Sequence, residues 1–389
     1  MGYLSIEGAT IIDGTGGTPI QDGCILLQET KIANVGPAGS FDLPSERQTM
    51  DATGKVVTPG LIDAHNHLCI YPGDEAKQMS DPDGTLMLRA VRHARANLAS
   101  GVTTMRTVGE RSLLDLQYRD GIAEGLIPGP RILASAWPIC STGGHGWFIG
   151  KEVDGVAAAR QAVRDNCKAG ADLIKIMVSG GVSTKGSVPW TCYFAQDEIE
   201  ALIDEAHRLG KKVAGHLYGG QGADWALAAG MDTVEHGSYL SDEQLDVMAS
   251  KGIWLVATQG VYLLRPKDTT GIPPWQQRKA VDAAESTKRV FQKAMEKGVN
   301  IAFGTDCHHE PFRMADELAL AVGLGMSEMD AIVQATAGAA QASGIESDVG
   351  TLTPGKWADL LILGSDPLTD IQALKDIETI VQAGKIVEL

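Results

Sequence analysis

Apolar and polar positions along the chain fall into a repeated unit. A stretch with helical periodicity ends in one or two small residues and a glycine, and a short apolar run follows. The unit appears in "ANLASGVTTMRTV", "NCKAGADLIKIMV", "AHRLGKKVAGH", "ALAAGMDTVEH", "VMASKGIWLVAT" and "AMEKGVNIAFGTD". Each glycine (Gly101, Gly170, Gly210, Gly230, Gly252, Gly298) stands where a helix C-cap needs a left-handed backbone, with a strand directly after it. The clearest helix precedes Gly210: Ile199, Leu202, Ile203, Ala206 and Leu209 form an apolar stripe, and Asp197 is the expected N-cap. His207 lies off that stripe and reads as a surface or edge residue.

With "VVTPGLIDAH" and "PGPRILASA" added, the pattern gives eight strands, and the intervening helices imply parallel pairing. That is the count of an α/β (β/α)8 TIM barrel, expected over 57–349. An open doubly wound sheet is the alternative, but no GxGxxG turn follows the first strand. The chain ends read differently, as short strands with glycine and proline turns. Neither end is large enough to bury a core alone, so residues 1–56 and 350–389 are expected to pair into one small β-sandwich domain.

The composition (389 residues, 44% hydrophobic, 21% charged) is that of an ordinary globular chain. No apolar run reaches the roughly 18 residues of a membrane span. The start, "MGYLSIEGAT", lacks the basic and apolar segments of a signal peptide, so a cytoplasmic location is expected. Six cysteines without a CxxC pair argue against a disulfide framework or a structural zinc knuckle. A net charge of -16 with no basic cluster argues against nucleic acid as a partner.

Within this framework the polar residues of the strands gain meaning. His65 and His67 end the first strand on one face, since strand side chains alternate. Lys175 belongs to the end of the fourth strand, His216 to the fifth, His236 to the sixth and Asp306 to the eighth. All six are expected at the C-terminal mouth of the barrel, where active sites of this fold are built. Charged and imidazole groups are seldom gathered in buried strands without a task, and histidines clustered in this way suit a metal.

These motifs resemble the amidohydrolase superfamily: HNH in "GLIDAHNHL", the lysine of "DLIKIMVSGG", the histidines of "AGHLYGG" and "TVEHGS", and the aspartate of "AFGTDCHH". The likeness covers nearly the whole chain, from "TPGLIDAHNH" to "LTPGKWADLLIL". "STGGHG" and "LIKIMVSGGV" resemble most the metal-dependent carboxypeptidase and prolidase-like branch, with imidazolonepropionase-like enzymes further away. The resemblance implies two divalent ions, Zn2+ in the usual case, and a carbamate on Lys175 that bridges them. It implies His65, His67 and Asp306 on the more buried ion and His216 and His236 on the other. A homo-oligomer is expected with it.

The chemistry is consistent with that implication. An ammonium cannot bind a cation, whereas a carbamate is an anionic oxygen ligand that two ions can share; forming it needs a neutral amine, which burial beside positive charge favours. Two such ions can hold a hydroxide between them at neutral pH and polarise a carbonyl. Asp306 is the expected proton shuttle to the leaving nitrogen.

Further candidates are His145 in the loop "CSTGGHGW" and Tyr218, two residues past His216, both expected to contact the substrate. His308 and His309 either shape the pocket or cap the next helix. Arg106 pairs either with a substrate carboxylate or with Glu110. His93, within a helix, reads as structural. The stretch "GVSTKGSVPWTCYF" suits a mobile rim over the site. The function expected is hydrolysis of a small-molecule amide, an N-acyl amino acid or a dipeptide-like compound. Two alternatives stand beside it: hydrolysis of a neutral urea, carbamate, ester or cyclic amide by the same metal pair, and a non-catalytic scaffold on the same fold.

Overall fold

The computed structural model describes residues 2–70, 77, 79–264, 272–306 and 313–388. His308 and His309 lie outside the described residues. The chain divides into two compact units, one made of Met1–Asp63, Asn97–Thr104 and Met314–Leu389, the other of Ala64–Ala96 and Met105–Arg313.

The first unit opens with β1 (Tyr3–Ile11), β2 (Ile20–Gln28), β3 (Lys31–Pro37), β4 (Arg47–Asp51) and β5 (Val56–Pro59). The strands that follow are β6 (Leu61–Asn66), β7 (Val102–Thr107), β8 (Arg131–Ala134), β9 (Ile139–Cys140), β10 (Lys151–Glu152), β11 (Ile174–Met177), β12 (Val213–Leu217), β13 (Thr233–His236), β14 (Trp254–Ala257) and β15 (Ile301–Phe303). Last come β16 (Leu360–Leu363), β17 (Ile377–Gln382) and β18 (Lys385–Ile386).

Strands from both chain ends pair in one eight-stranded sheet in the order β18-β17-β16-β5-β1-β2-β3, with β4 alongside β1. The sequence reading expected a sandwich; the recorded ladder is a single sheet. Ile6, Ile25, Val57, Leu360 and Val381 are among the residues of its core. β16 reads Leu-Leu-Ile-Leu and is buried throughout, the pattern of a strand covered on both faces.

The stretch "VVTPGLIDAH" is two strands rather than the one expected. β5 pairs with β16 and β1, whereas β6 pairs with β7. Pro59 supplies no N–H to a ladder. Gly60, between the strands, lies so close to Thr103 that a β-carbon there would stand 2.1 Å from its hydroxyl.

All eight strands expected for the barrel are present, as β6, β7, β8, β11, β12, β13, β14 and β15, and the fold is α/β and TIM-barrel-like. Their ladder is recorded in two pieces, β6-β7-β8 and β10-β9-β11-β12-β13-β14-β15, the second parallel throughout. A continuous closed ring is therefore not recorded among the described residues. Single backbone hydrogen bonds cross the two gaps: Asp306 N to His65 O and Asp172 N to Ala134 O, each 2.8 Å.

The six capping glycines all have φ between +69° and +99°, so each helix is terminated as the pattern implied. At the helix Gln196–Arg208 the expected N-cap is corrected. Ala195 holds that position and Asp197 lies in the first turn, because Glu198 reaches back to accept from Ala195 N at 2.7 Å. His207 is exposed and sits 2.8 Å from Asp232. No helix of the described residues is long and apolar enough to cross a membrane.

Candidate metal centre

Every residue of β11, β12 and β13 is buried. A polar side chain in such a strand must find partners, because leaving it unpaired in an apolar interior costs several kcal/mol. In β11, β12 and β13 the side chains in question are Lys175, His216, Thr233, Glu235 and His236. Parallel register places Met177 beside His216 and Leu217 beside His236, so the two histidines leave their strands at neighbouring heights. His236 and Asp306 have φ of +74° and +43°. For residues with a β-carbon this costs on the order of 1–3 kcal/mol, and such strain concentrates at functional sites.

The structure brings all eight sequence-predicted site residues together. His65, His67, His145, Lys175, His216, Tyr218, His236 and Asp306 line one cavity. One donor atom from each of His65, His67 and Asp306 lies within 4.8 Å of the others. The Asp306 Oδ1 atom stands 3.6 Å from His65 Nε2 and 3.9 Å from His67 Nε2. The imidazoles continue across the cavity, with ring centres 4.7 Å apart from His65 to His236 and again from His236 to His216.

Each of these four histidines has one ring nitrogen engaged by an oxygen of the protein. His65 Nδ1 is 2.6 Å from Glu235 Oε2, His67 Nδ1 2.8 Å from Gly109 O, His236 Nδ1 2.7 Å from Thr258 Oγ1, and His216 Nε2 3.2 Å from Gly180 O. This is the arrangement a metal-binding histidine requires: the engaged nitrogen carries the proton and the opposite one offers its lone pair. Burial, reinforced by neighbouring histidines and by Lys175, drives His216 and His236 well below the usual imidazole range, so both are neutral at neutral pH. The donor set therefore fits divalent cations.

Lys175 is buried within the same group. Burial pulls its ammonium down to about 8, with Glu235 and Asp306 opposing the shift and Arg106 adding to it. His145 stacks on His216 at 4.1 Å, and its Nδ1 lies 2.8 Å from Thr184 Oγ1. Burial, with Lys175 and Lys279 nearby, pushes His145 down to about 3, so its ring is neutral. The Tyr218 hydroxyl meets that of Tyr262 at 2.6 Å. Burial, with Tyr262 adjacent, pushes its phenol well up, so it keeps its proton.

Arg106 takes neither of the two roles left open by the sequence. It is buried and donates to Glu235 Oε1 at 2.7 Å and to Ala64 O at 2.5 Å. Arg106, Glu235 and His65 thus form a buried line of charge that fixes the His65 ring. Glu110 accepts from Cys69 N at 3.0 Å, away from Arg106's partners. His93 Nδ1 lies 2.9 Å from Leu68 O, as a structural histidine would. Glu235 and Thr184 are the contributors that sequence reasoning missed. An acid next to the histidine of an expected barrel strand, "TVEH", was a usable signal for Glu235; Thr184, in a Gly/Ser-rich loop, gave none.

Residues 56–387 match the amidohydrolase family. Ochratoxinase of Aspergillus niger is 29% identical, over 95% of this chain and 83% of its own. Imidazolonepropionase of Salinispora arenicola is 26% identical, over 90% and 88%. A Xaa-Pro dipeptidase crystal structure with methionine bound in its active site superposes with a TM-score of 0.90 at 30% identity, over 99% of this chain and 100% of that one. The chain belongs to the amidohydrolase family and is a hydrolase acting on carbon–nitrogen bonds.

Proposed function

We propose that the cavity is a binuclear metal site that hydrolyses the amide bond of an N-acyl amino acid or dipeptide-like substrate. The observation that carries this reading is the His65, His67 and Asp306 donor group, continued by His236 and His216 and bordered by Lys175. His65, His67 and Asp306 would hold the more buried ion, His216 and His236 the other. Lys175 would bridge both as a carbamate. When bound, such a pair, Zn2+ by preference, supplies a water deprotonated near neutral pH and a Lewis acid for the carbonyl oxygen.

The chain's own residues do the rest. Asp306 takes a proton from the attacking water and delivers it to the leaving nitrogen, without which an amine is a very poor leaving group. His145 and Tyr218 donate hydrogen bonds to the substrate, both being neutral and protonated. Ile70, Phe148, Ile149, Val182 and Val261 give the cavity apolar walls that exclude water. Similarity to a Xaa-Pro dipeptidase supports the dipeptide-like class. A second reading, a neutral urea, carbamate, ester or cyclic amide, is favoured by a separate observation. Among the described residues, no cationic side chain other than Lys175 lines the cavity to meet a substrate carboxylate.

A hydrolysis screen of N-acyl amino acids, dipeptides, ureas, carbamates and esters, with zinc and bicarbonate supplied, separates the two. Preference for carboxylate-bearing amides supports the first reading, and turnover of neutral compounds alone replaces it with the second. No bound metal and no turnover would make the chain a scaffold. Lys175→Ala should lose metal and activity, with partial rescue by acetate or propionate; an alanine variant with two ions and full activity would refute the bridge.

A further inference from the structure

Lys279, on the helix Pro274–Glu296, stands outside the donor set. Its ammonium is nonetheless directed into the backbone of the loop that walls the cavity. The Nζ atom donates to Gly181 O at 3.1 Å, to Thr184 O at 2.9 Å and to Ser187 O at 2.6 Å. An ammonium has three hydrogens, and three carbonyls take them. Nζ also lies 5.3 Å from the centre of the Trp275 ring. Inside the loop, Gly181 N donates to Ser187 Oγ at 3.1 Å and Ser187 N to Thr184 O at 3.2 Å. The cation thus closes a compact turn whose members Thr184 and Ser187 are both buried.

Thr184 carries the effect to the cavity. Its hydroxyl oxygen accepts from Gly146 N at 3.2 Å and lies 2.8 Å from His145 Nδ1. One hydroxyl thus ties the Gly146 backbone and the His145 ring to the same point of the loop. The loop also touches the ring directly, since a β-carbon at Gly181 would come within 2.4 Å of it. The ring then stacks on His216 with an interplanar angle of 29°.

We propose that Lys279 is a positioning residue: by tying three carbonyls of 181–187 it fixes Thr184, and through Thr184 it sets the place and tilt of the His145 ring. The effect on turnover rests on the reading of His145 as a substrate contact; the effect on the loop does not.

The test uses the zinc-loaded protein and two readouts. In hydrogen–deuterium exchange, Lys279→Met should raise exchange across 180–188 about tenfold, with zinc content at the parent level. In kinetics, kcat/KM for N-acetyl-L-methionine should fall about tenfold, chiefly through KM, and Thr184→Val should act alike. In a His145→Ala background, Lys279→Met should add less than twofold, which general structural damage would not achieve. Unchanged loop exchange, or a further tenfold loss in that background, overturns the proposal. Should Lys279→Met not fold, Thr184→Val decides by the same two kinetic comparisons, and parent-level KM in that variant overturns the relay. If the parent cleaves only neutral probes such as 4-nitrophenyl acetate, the amide reading fails. The clamp is then judged by exchange and by the same double-variant comparison on that ester.

Discussion

At the scale of single residues, the strand-end histidines and Asp306 matter less as isolated groups than through what holds them. Asp306 faces His65 Nε2 and His67 Nε2 from a left-handed backbone. Asp306→Asn keeps the size and one oxygen but cannot take a proton. Turnover is expected to fall by about 10²–10⁴ while zinc content falls less; parent-like turnover and pH profile would end its role as shuttle. Behind His65, the buried Glu235 also serves Arg106 at 2.7 Å. Glu235→Gln leaves the guanidinium without its counter-charge, and removing one partner of a buried pair costs about 3–5 kcal/mol. Zinc affinity, read by competition with a chelator, is expected to drop about 10–100-fold, since the oxygen that orients a ligand histidine has been weakened. Unaltered affinity would detach Glu235 from the metal site.

At the scale of elements, the break between β5 and β6 separates a strand of the terminal sheet from the strand that carries His65. Gly60 occupies that break against the Thr103 side chain, with Oγ1 and Cγ2 only 2.1 and 2.5 Å from a hypothetical β-carbon. Gly60→Ala is expected to destabilise by about 1–3 kcal/mol through overpacking. The signature is a lower urea midpoint at an unchanged slope. Thr103→Ala in the same chain should recover part of the loss by removing both atoms; no recovery would mean that the cause lies in the backbone of residue 60 itself.

At the scale of the whole molecule, the pH dependence of stability draws on Glu110, which is buried beside Cys69 and Tyr118. Burial raises its carboxyl from 4.5 to about 7 against several opposing hydrogen bonds. An acid whose pKa rises on folding holds its proton more tightly in the folded chain. Its contribution is intact below 4.5 and is lost as the pH climbs through about 7, by up to about 3 kcal/mol. Glu110→Gln, uncharged at every pH, should therefore lose less stability than the parent between pH 5 and pH 8. Thermal unfolding of both proteins, zinc-loaded, over that range measures the difference; parallel curves would show that Glu110 does not titrate there.

The repeated helix–glycine–strand unit gave six of the eight barrel strands, with two apolar runs outside the repeat supplying the others, because helix periodicity and a left-handed cap are local properties of the chain. His65 and His216 stand next to last in β6 and β12 and His236 closes β13, as that register implied. Lys175, expected at a strand end, is instead the second residue of β11, and Asp306 lies three residues past β15. The family resemblance came from the motifs around these residues. Tertiary structure alone decided the remainder. Val56–Leu61 looks like one apolar run, and only its different neighbours split it at Pro59–Gly60. Asp197 was a chemically sound cap, but Glu198 reaching back to Ala195 set the cap two residues earlier. Arg106 found Glu235 across 129 positions of sequence, and Lys279 found the carbonyls of a loop more than 90 positions before it. Such pairings depend on which distant segments are brought side by side. Burial then makes each partner obligatory, since a charge shut away from water is stable only when another group meets it.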